Sequence, residues 1–206
     1  MSTILPVVHL VDDDDAVRRS LTLLLSTVGM RVLPHADTGQ FLRGFDPDRP
    51  GAILLDVRMP GGSGMALLDK LAEMNVTQPI IILTGHGTVD LCRRAFKAGA
   101  TEFLEKPVDD EVLIDALQRA LTDHLLNRSR KEAERTARER FARLSARERE
   151  VLELLVAGMT NREIGHALDL SPRTVEVHRA HVIEKLEAEN LAHLIRQYAP
   201  LVEGRG

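Results

Sequence analysis

The chain has 206 residues, of which 44% are hydrophobic and 28% are charged, a composition typical of globular proteins with one large or two small domains. No apolar run approaches the about 18 residues of a membrane-spanning helix, and residues 1–6 lack the pattern of a signal peptide, so we expect no membrane partner. The single cysteine, Cys92, excludes an internal disulfide and suits a reducing cytoplasm. Together with the absence of an HExxH motif, it argues against a zinc site.

Charge is divided unevenly along the chain. The formal net charge is −4, but residues 1–121 carry −5, whereas residues 122–206 carry +1 and hold five of the eight histidines. A nucleic-acid-binding half would therefore be nearly neutral. Its positive charge would have to be concentrated on one face.

Apolar runs alternate with amphipathic stretches over residues 1–121. Three runs are continuous (7–11, 52–55 and 80–83), and two weaker ones lie at 30–33 and 102–104. Continuous apolar runs of this length, with helical periodicity between them, indicate buried parallel strands. Five strands and five helices predict a doubly wound, flavodoxin-like α/β domain with a five-stranded parallel sheet.

Residues 127–143 are dense in Arg and Glu, which predicts a solvated, charged helical linker over residues 122–143. The alternative is a weak dimeric coiled coil built on Ala133, Ala137 and Phe141, which are few and mostly small.

Residues 144–206 show only helical patterns. Three pairs of residues have the pattern of a helix start: Ser145 with Glu148, Thr160 with Glu163, and Ser171 with Pro172. Gly158 is suited to ending the first of these helices. The closely spaced starts predict a compact all-α domain of four helices that contains a helix-turn-helix.

Polar residues follow the apolar runs of the first domain. Asp12 and Asp13 follow the first run, Asp56 the third, Thr84 the fourth and Lys106 the fifth. Because the carboxyl ends of parallel strands meet at one edge of a sheet, these side chains should converge.

Clustered carboxylates favour Mg²⁺, and a carboxylate nucleophile at Asp56 would form an aspartyl phosphate. Lys106 and the metal would neutralise charge on the transferring phosphoryl group, and Thr84 would donate a hydrogen bond to it. The alternative is that acids after a strand cap the next helix, which is how we interpret Asp14 and Asp15.

Residues 5–121 resemble the receiver domain of response regulators. The resemblance lies in Val11-Asp12-Asp13, Leu55-Asp56-Val57-Arg58-Met59-Pro60-Gly61, Leu83-Thr84-Gly85 and Phe103-Leu104-Glu105-Lys106-Pro107. It implies that Asp56 is the phosphoacceptor and that Thr84 and Lys106 are the switch hydroxyl and the phosphate-pairing lysine. The Mg²⁺ ligands that it implies are Asp12, Asp13, Asp56 and the main-chain carbonyl of Arg58.

The same resemblance implies a cis Lys106–Pro107 peptide and a rotating aromatic side chain at Phe103. Phe lacks the hydroxyl of the Tyr often found there, so the switch would be steric. Alternatively, Phe103 is an ordinary core residue.

Residues 141–202 resemble the LuxR-type DNA-binding domain of the NarL/FixJ class, and the whole chain is most similar to the FixJ branch. The matching stretches include Leu144-Ser145-Ala146-Arg147-Glu148, Thr160-Asn161-Arg162-Glu163-Ile164 and Leu170-Ser171-Pro172-Arg173-Thr174-Val175. The resemblance places one group of residues near phosphates or the groove: Arg173, Thr174, His178, His181 and Lys185. It places Glu176, Val177 and Ala180 near the bases, with Arg179 the best donor to guanine. Surface salt bridges are the alternative for each charged residue, and a packed core position is the alternative for His178.

These resemblances imply a bacterial two-component response regulator. A sensor histidine kinase would phosphorylate Asp56, and the resulting homodimer would bind two half-sites of double-stranded DNA and act with RNA polymerase as a transcription regulator. We expect no enzyme activity beyond self-directed phosphotransfer and autodephosphorylation. Arg58 and His86, two residues after Asp56 and Thr84, are expected to tune the lifetime of the acyl phosphate; the alternative is that both are solvated surface residues.

Two other classes of function remain as alternatives. A phosphatase of the aspartyl-phosphate type would also use paired Asp and Lys residues, but no cap insertion is present and the helix-turn-helix would be unexplained. A degenerate receiver with constitutive DNA binding would not need the complete set of polar residues at the strand ends.

Overall fold

The computed structural model describes residues 5–59 and 64–203, and the chain divides into two compact units, Met1–Arg128 and Ser129–Gly206. Pro60 and Gly61, which belong to one of the receiver motifs, lie outside the described residues.

The N-terminal unit contains a parallel sheet with the strand order β2-β1-β3-β4-β5. The strands are β1 (Val7–Val11), β2 (Arg31–His35), β3 (Gly51–Leu55), β4 (Ile80–Thr84) and β5 (Glu102–Glu105). The helices between them are α1 (Asp15–Thr27), α2 (Thr38–Gly44), α3 (Gly64–Glu73) and α4 (Val89–Lys97). This order and the parallel pairing confirm the doubly wound fold expected from the sequence.

Alternating strand residues supply two apolar cores, one on each face of the sheet. One core combines strand residues such as Ile53 and Ile82 with side chains of α2, α3 and α4. The other combines Leu54 and Ile81 with side chains of α1 and of the first turns of α5 (Asp110–Ala142). Burial on both faces explains why the central strands are continuously apolar.

The sheet register brings the ends of the strands to one level. Val11 pairs with Leu55, so Asp12 and Asp56 directly follow two neighbouring strands. Thr84 pairs with Glu105, the residue before Lys106.

Helix α5 runs over Asp110–Ala142. In the N-terminal unit its residues Leu113 and Leu117 are fully buried. Residues 125–135 are exposed, as the charge pattern predicts. In the C-terminal unit Ala137 and Phe141 are buried in an apolar cluster, although the sequence assigns them to the solvated linker. The charge pattern does not predict this burial because only one side chain per turn of helix, Ala137 and then Phe141, is buried among many charged residues.

The C-terminal unit contains α6 (Ala146–Val156), α7 (Asn161–Leu168), α8 (Pro172–Leu186) and α9 (Leu191–Glu203). Both predicted capping boxes are confirmed, at Ser145 and Thr160, and Ser171 caps α8 with Pro172 in its first turn. Gly158 has φ 83°, the left-handed conformation expected after α6. Tyr198 of α9 is fully buried and donates its hydroxyl to the carbonyl of Leu186 at 2.9 Å.

Candidate functional site

Three carboxylates meet at the carboxyl edge of the sheet. Asp12, Asp13 and Asp56 each place one carboxylate oxygen within 4.8 Å of the others, and among the described residues this is the one acidic or histidine-containing group with that geometry. Asp12 and Asp56 are buried, whereas Asp13 is exposed. A cluster of oxygen donors that is open on one side fits a hard cation such as Mg²⁺, which keeps part of its water shell.

Lys106 bridges the two buried carboxylates. Its Nζ lies 2.6 Å from Oδ2 of Asp12 and 2.7 Å from Oδ2 of Asp56. Burial opposes the charged form of the ammonium, but the hydrogen bonds and charges of the two acids outweigh burial and raise the pKa of Lys106. Lys106 is therefore a fixed positive charge beside the Asp56 carboxylate.

Main-chain groups orient the two buried acids. The N–H of Asp14 donates to Oδ1 of Asp12 at 2.9 Å, and the N–H of Arg58 donates to Oδ1 of Asp56 at 2.8 Å. Arg18 of α1 donates to the main-chain carbonyl of Asp12 at 2.8 Å. In each acid one oxygen is held by the backbone and the other faces Lys106, so both carboxylates are held in a fixed orientation.

Thr84 is the last residue of β4 and pairs with Glu105, and Phe103 lies on β5 three residues before Lys106. Thr84 is fully buried, and its Oγ1 accepts a long, 3.5 Å hydrogen bond from the N–H of His86. Phe103 is partly buried and packs against the core that holds Ile53 and Ile82. The Lys106–Pro107 peptide is cis, as the receiver resemblance implies.

Arg58 and His86 both have exposed side chains at this edge of the sheet. That position agrees with the predicted neighbourhood of the site and also with the alternative of a solvated surface, so their influence on the acyl phosphate stays a prediction.

The N-terminal unit contains a buried imidazole pair that the sequence patterns do not predict. Nδ1 of His9 lies 3.0 Å from Nε2 of His35, and the rings stack beside Phe41. Burial, with smaller contributions from His35 and Arg49, lowers the pKa of His9 from 6.5 to about 4. The signal for this pair was a histidine in the middle of an otherwise apolar strand.

The predicted DNA-contacting residues lie along α8. Arg173, Glu176 and Val177 are exposed, and Arg173 pairs with Glu176 at 3.1 Å. Thr174 contacts the helix cap through Ser171 Oγ at 2.8 Å. The outer face of α8 is therefore accessible at its N-terminal end, as required for a helix that reads base edges.

Three further predicted DNA contacts have partners on other helices of the C-terminal unit, and a fourth is partly buried. Arg179 donates to Asn161 of α7. Lys185 pairs with both carboxylate oxygens of Glu148 at 2.8 and 2.7 Å, and His181 lies 4.0 Å from the same acid. His178 is partly buried, and its Nδ1 has no hydrogen-bond partner among the described residues.

Glu148 itself was assigned only a capping role from the sequence. Its side chain is 5% exposed, so burial opposes ionisation, but hydrogen bonds from Lys185 and Ser145 outweigh burial and lower the pKa of Glu148 to about 2. Glu148 thus connects the start of α6 to the end of α8. The sequence signal for this contact is a carboxylate held in a capping box, together with a lysine on a later helix.

Comparison with known families decides the assignment. Residues 8–118 match the response regulator receiver domain, and residues 142–198 match the bacterial regulatory proteins of the luxR family. The chain is a response regulator with a luxR-family DNA-binding domain. The receiver domain of this regulator implies a kinase partner, and its luxR-family domain implies DNA binding.

Relatives cover nearly the whole regulator. The transcriptional regulatory protein FixJ of Rhizobium meliloti (strain 1021) is 44% identical over 92% of this chain and 93% of its own length. The tetrathionate response regulatory protein TtrR of Salmonella typhimurium is 39% identical over 93% of this chain and 91% of its own. The regulator is therefore a FixJ-like transcription regulator.

Solved structures agree with this assignment. The response regulator StyR has a TM-score of 0.83 at 36% identity and covers 95% of this chain and 98% of its own. Full-length FixJ from B. japonicum has a TM-score of 0.59 at 38% identity, with 98% of each chain covered. Over the described residues, no helix of the regulator is both long and apolar enough to cross a membrane.

Proposed function

We propose that Asp56 accepts a phosphoryl group from a phosphohistidine of a sensor kinase and that this modification controls DNA binding by the C-terminal unit. The observation that carries the proposal is the position of the Lys106 ammonium, 2.7 Å from Asp56 and 2.6 Å from Asp12. Such a fixed charge is what a transferring phosphoryl group requires beside its acceptor.

The transfer is a displacement at phosphorus. A carboxylate oxygen of Asp56 forms the new P–O bond while the P–N bond to the kinase imidazole breaks. The imidazole keeps the electron pair of that bond and is protonated from solvent. Lys106 pairs with a phosphoryl oxygen as negative charge develops, and the buried Thr84 hydroxyl donates to another.

A divalent cation fits the same edge of the sheet. Asp12, Asp13, Asp56 and the main-chain carbonyl of Arg58 would hold Mg²⁺, which would supply positive charge for the phosphoryl oxygens. We propose that the regulator turns over no free phosphomonoester and that its chemistry is limited to its own phosphorylation and to hydrolysis of the resulting aspartyl phosphate. Arg58 and His86 then act on the rate of that hydrolysis from the exposed rim.

The response to phosphorylation is proposed to run through Thr84 and Phe103 to the α4–β5 face, where a homodimer forms. The dimer presents two copies of α8 to two half-sites of DNA and acts with RNA polymerase. The names of FixJ and TtrR as regulatory proteins, together with the exposed N-terminal end of α8, support this output. A dimer raises DNA affinity without a strongly basic surface, which suits a C-terminal half with a net charge of +1.

The test treats the full-length regulator with acetyl phosphate and MgCl₂ and then measures its molar mass by light scattering and its binding to genomic DNA fragments. Wild type should shift from monomer to dimer and bind specific fragments more tightly. Asp56→Asn should do neither, whereas Asp48→Asn, which changes an exposed acid of the same unit, should behave like wild type. Equal dimerisation of Asp56→Asn and wild type would refute the switch.

The same preparation tests the two rim residues. If Arg58→Ala and His86→Ala both leave the half-life of the phosphorylated form unchanged, their proposed role in hydrolysis is wrong.

A further inference from the structure

The loop between β4 and α4, residues 85–88, is exposed, but two of its main-chain N–H groups donate hydrogen bonds to side-chain oxygens. The N–H of His86 donates to Oγ1 of Thr84 at 3.5 Å, and the N–H of Gly87 donates to Oε1 of Glu105 at 3.1 Å. Glu105 is the last residue of β5 and directly precedes Lys106. A side chain from one strand thus fixes the loop that follows the neighbouring strand.

Gly87 is also closely packed. A Cβ atom at this position would lie 3.2 Å from Cε1 of Phe103, 3.4 Å from Cδ of Glu105 and 3.5 Å from its Oε1. Phe103 and Glu105 are two residues apart on β5, so their side chains leave the strand on the same side. The aromatic ring and the carboxylate therefore contact one glycine together.

We propose that Glu105 is a positioning residue that holds the 85–88 loop in the unphosphorylated arrangement, by accepting the Gly87 N–H while Phe103 packs against the same residue. This role rests on the phosphorylation of Asp56 proposed above. Glu105 is then a third residue of the switch, beside Thr84 and Phe103, and its carboxylate opposes the change in the loop that phosphorylation causes.

The opposition follows from the position of Thr84. When its hydroxyl turns to a phosphoryl oxygen on Asp56, the weak 3.5 Å hydrogen bond to His86 is given up and the start of the loop moves with it. Gly87 is three residues further on, and in the proposed switch its hydrogen bond to Glu105 lengthens or breaks as the loop moves. A contact that exists in only one of two arrangements shifts the equilibrium by its own free energy.

The strand carries a matched control. Glu102, at the other end of β5, is also acidic, and its described hydrogen bond, from the N–H of Phe103 at 3.3 Å, stays within the strand. Removing Glu102 takes the same unit of charge from β5 as removing Glu105 does, but leaves the loop contact in place.

The experiment titrates the full-length regulator with beryllofluoride, a phosphoryl mimic, in the presence of MgCl₂ and measures the apparent Kd by calorimetry. Glu105→Ala should tighten binding by about two- to fivefold, the factor expected for one solvent-exposed hydrogen bond. Glu105→Gln keeps an acceptor oxygen and should return the Kd to near the wild-type value. Glu102→Ala should leave it unchanged.

A second variant approaches the contact from the loop side. Gly87→Ala places a methyl group 3.2 Å from the Phe103 ring, so it should displace the ring and also tighten beryllofluoride binding. Equal Kd values for wild type and Glu105→Ala, or an equal shift for Glu102→Ala, would overturn the role of Glu105. Wild type that binds no beryllofluoride would instead overturn the proposed phosphorylation site.

Discussion

Acidification should destabilise the N-terminal unit through the His9–His35 pair. The pKa of His9 is lowered from 6.5 to about 4, first by burial and then by the nearby charges of His35 and Arg49. Burial also lowers the pKa of His35, against a smaller opposing effect of Asp37. The His9 imidazole is therefore neutral in the folded chain at pH 5 to 6, where an unfolded chain already binds protons.

The sign and size follow from proton linkage. Because the folded-state pKa is the lower one, the unfolded state binds more protons between pH 6.5 and 4, and the free energy of unfolding falls as the pH falls through that window. Acidification from pH 7 to pH 5 should lower the free energy of unfolding by about 2 kcal/mol through His9 alone, since one pKa unit corresponds to about 1.4 kcal/mol.

Urea unfolding at pH 7 and pH 5 measures this cost. Far-ultraviolet circular dichroism follows both units, whereas fluorescence of Tyr198, the single tyrosine, follows only the C-terminal unit. The double variant His9→Leu/His35→Leu removes both titrating groups and should lose distinctly less stability on acidification than wild type. His86→Gln replaces an exposed histidine of the same unit and should behave like wild type.

If wild type and the double variant lose equal stability between pH 7 and pH 5, the imidazole pair does not control the acid response of this unit. A loss confined to the Tyr198 transition would place the response in the other unit.

Two further substitutions test the packing of each unit. Gly51→Ala would place a Cβ 2.1 Å from a main-chain carbonyl oxygen of β1, so thermal unfolding should show a loss of about 3 kcal/mol or more, whereas Gly85→Ala meets no described atom within 4 Å and should cost less than about 1 kcal/mol. Glu148→Gln removes the charge that pairs with the α8 lysine inside the C-terminal unit and should cost about 1–3 kcal/mol in urea unfolding followed by Tyr198 fluorescence. Glu150→Gln breaks only an exposed ion pair and should stay within about 0.5 kcal/mol of wild type.

Local pattern was sufficient to predict the strands and the convergence of polar residues at their ends. Continuous apolar runs identify buried parallel strands, and parallel strands necessarily present their carboxyl ends at one edge. The sequence therefore predicts that Asp12, Asp56 and Lys106 lie close together. Helix caps were predictable for a similar reason, since Ser145 and Glu148 are three residues apart and interact within one turn.

Partners of long side chains were not predictable. The LuxR-type resemblance places Lys185 near DNA, but Lys185 pairs with Glu148, which is 37 residues away. Glu105 could not be connected to Gly87 by local pattern, because the contact depends on how a loop after β4 lies over β5. Tertiary packing determines these contacts. It brings together residues whose spacing in the sequence follows neither the helix nor the strand period.

Locating the phosphoryl group tests the central claim most directly. Full-length regulator treated with acetyl phosphate and MgCl₂ is reduced with borohydride, which converts an aspartyl phosphate to homoserine, and is then digested and analysed by mass spectrometry. Homoserine at position 56 is the predicted result, with none in Asp56→Asn. Homoserine at another aspartate, or equal phosphorylation of Asp56→Asn, would contradict the account.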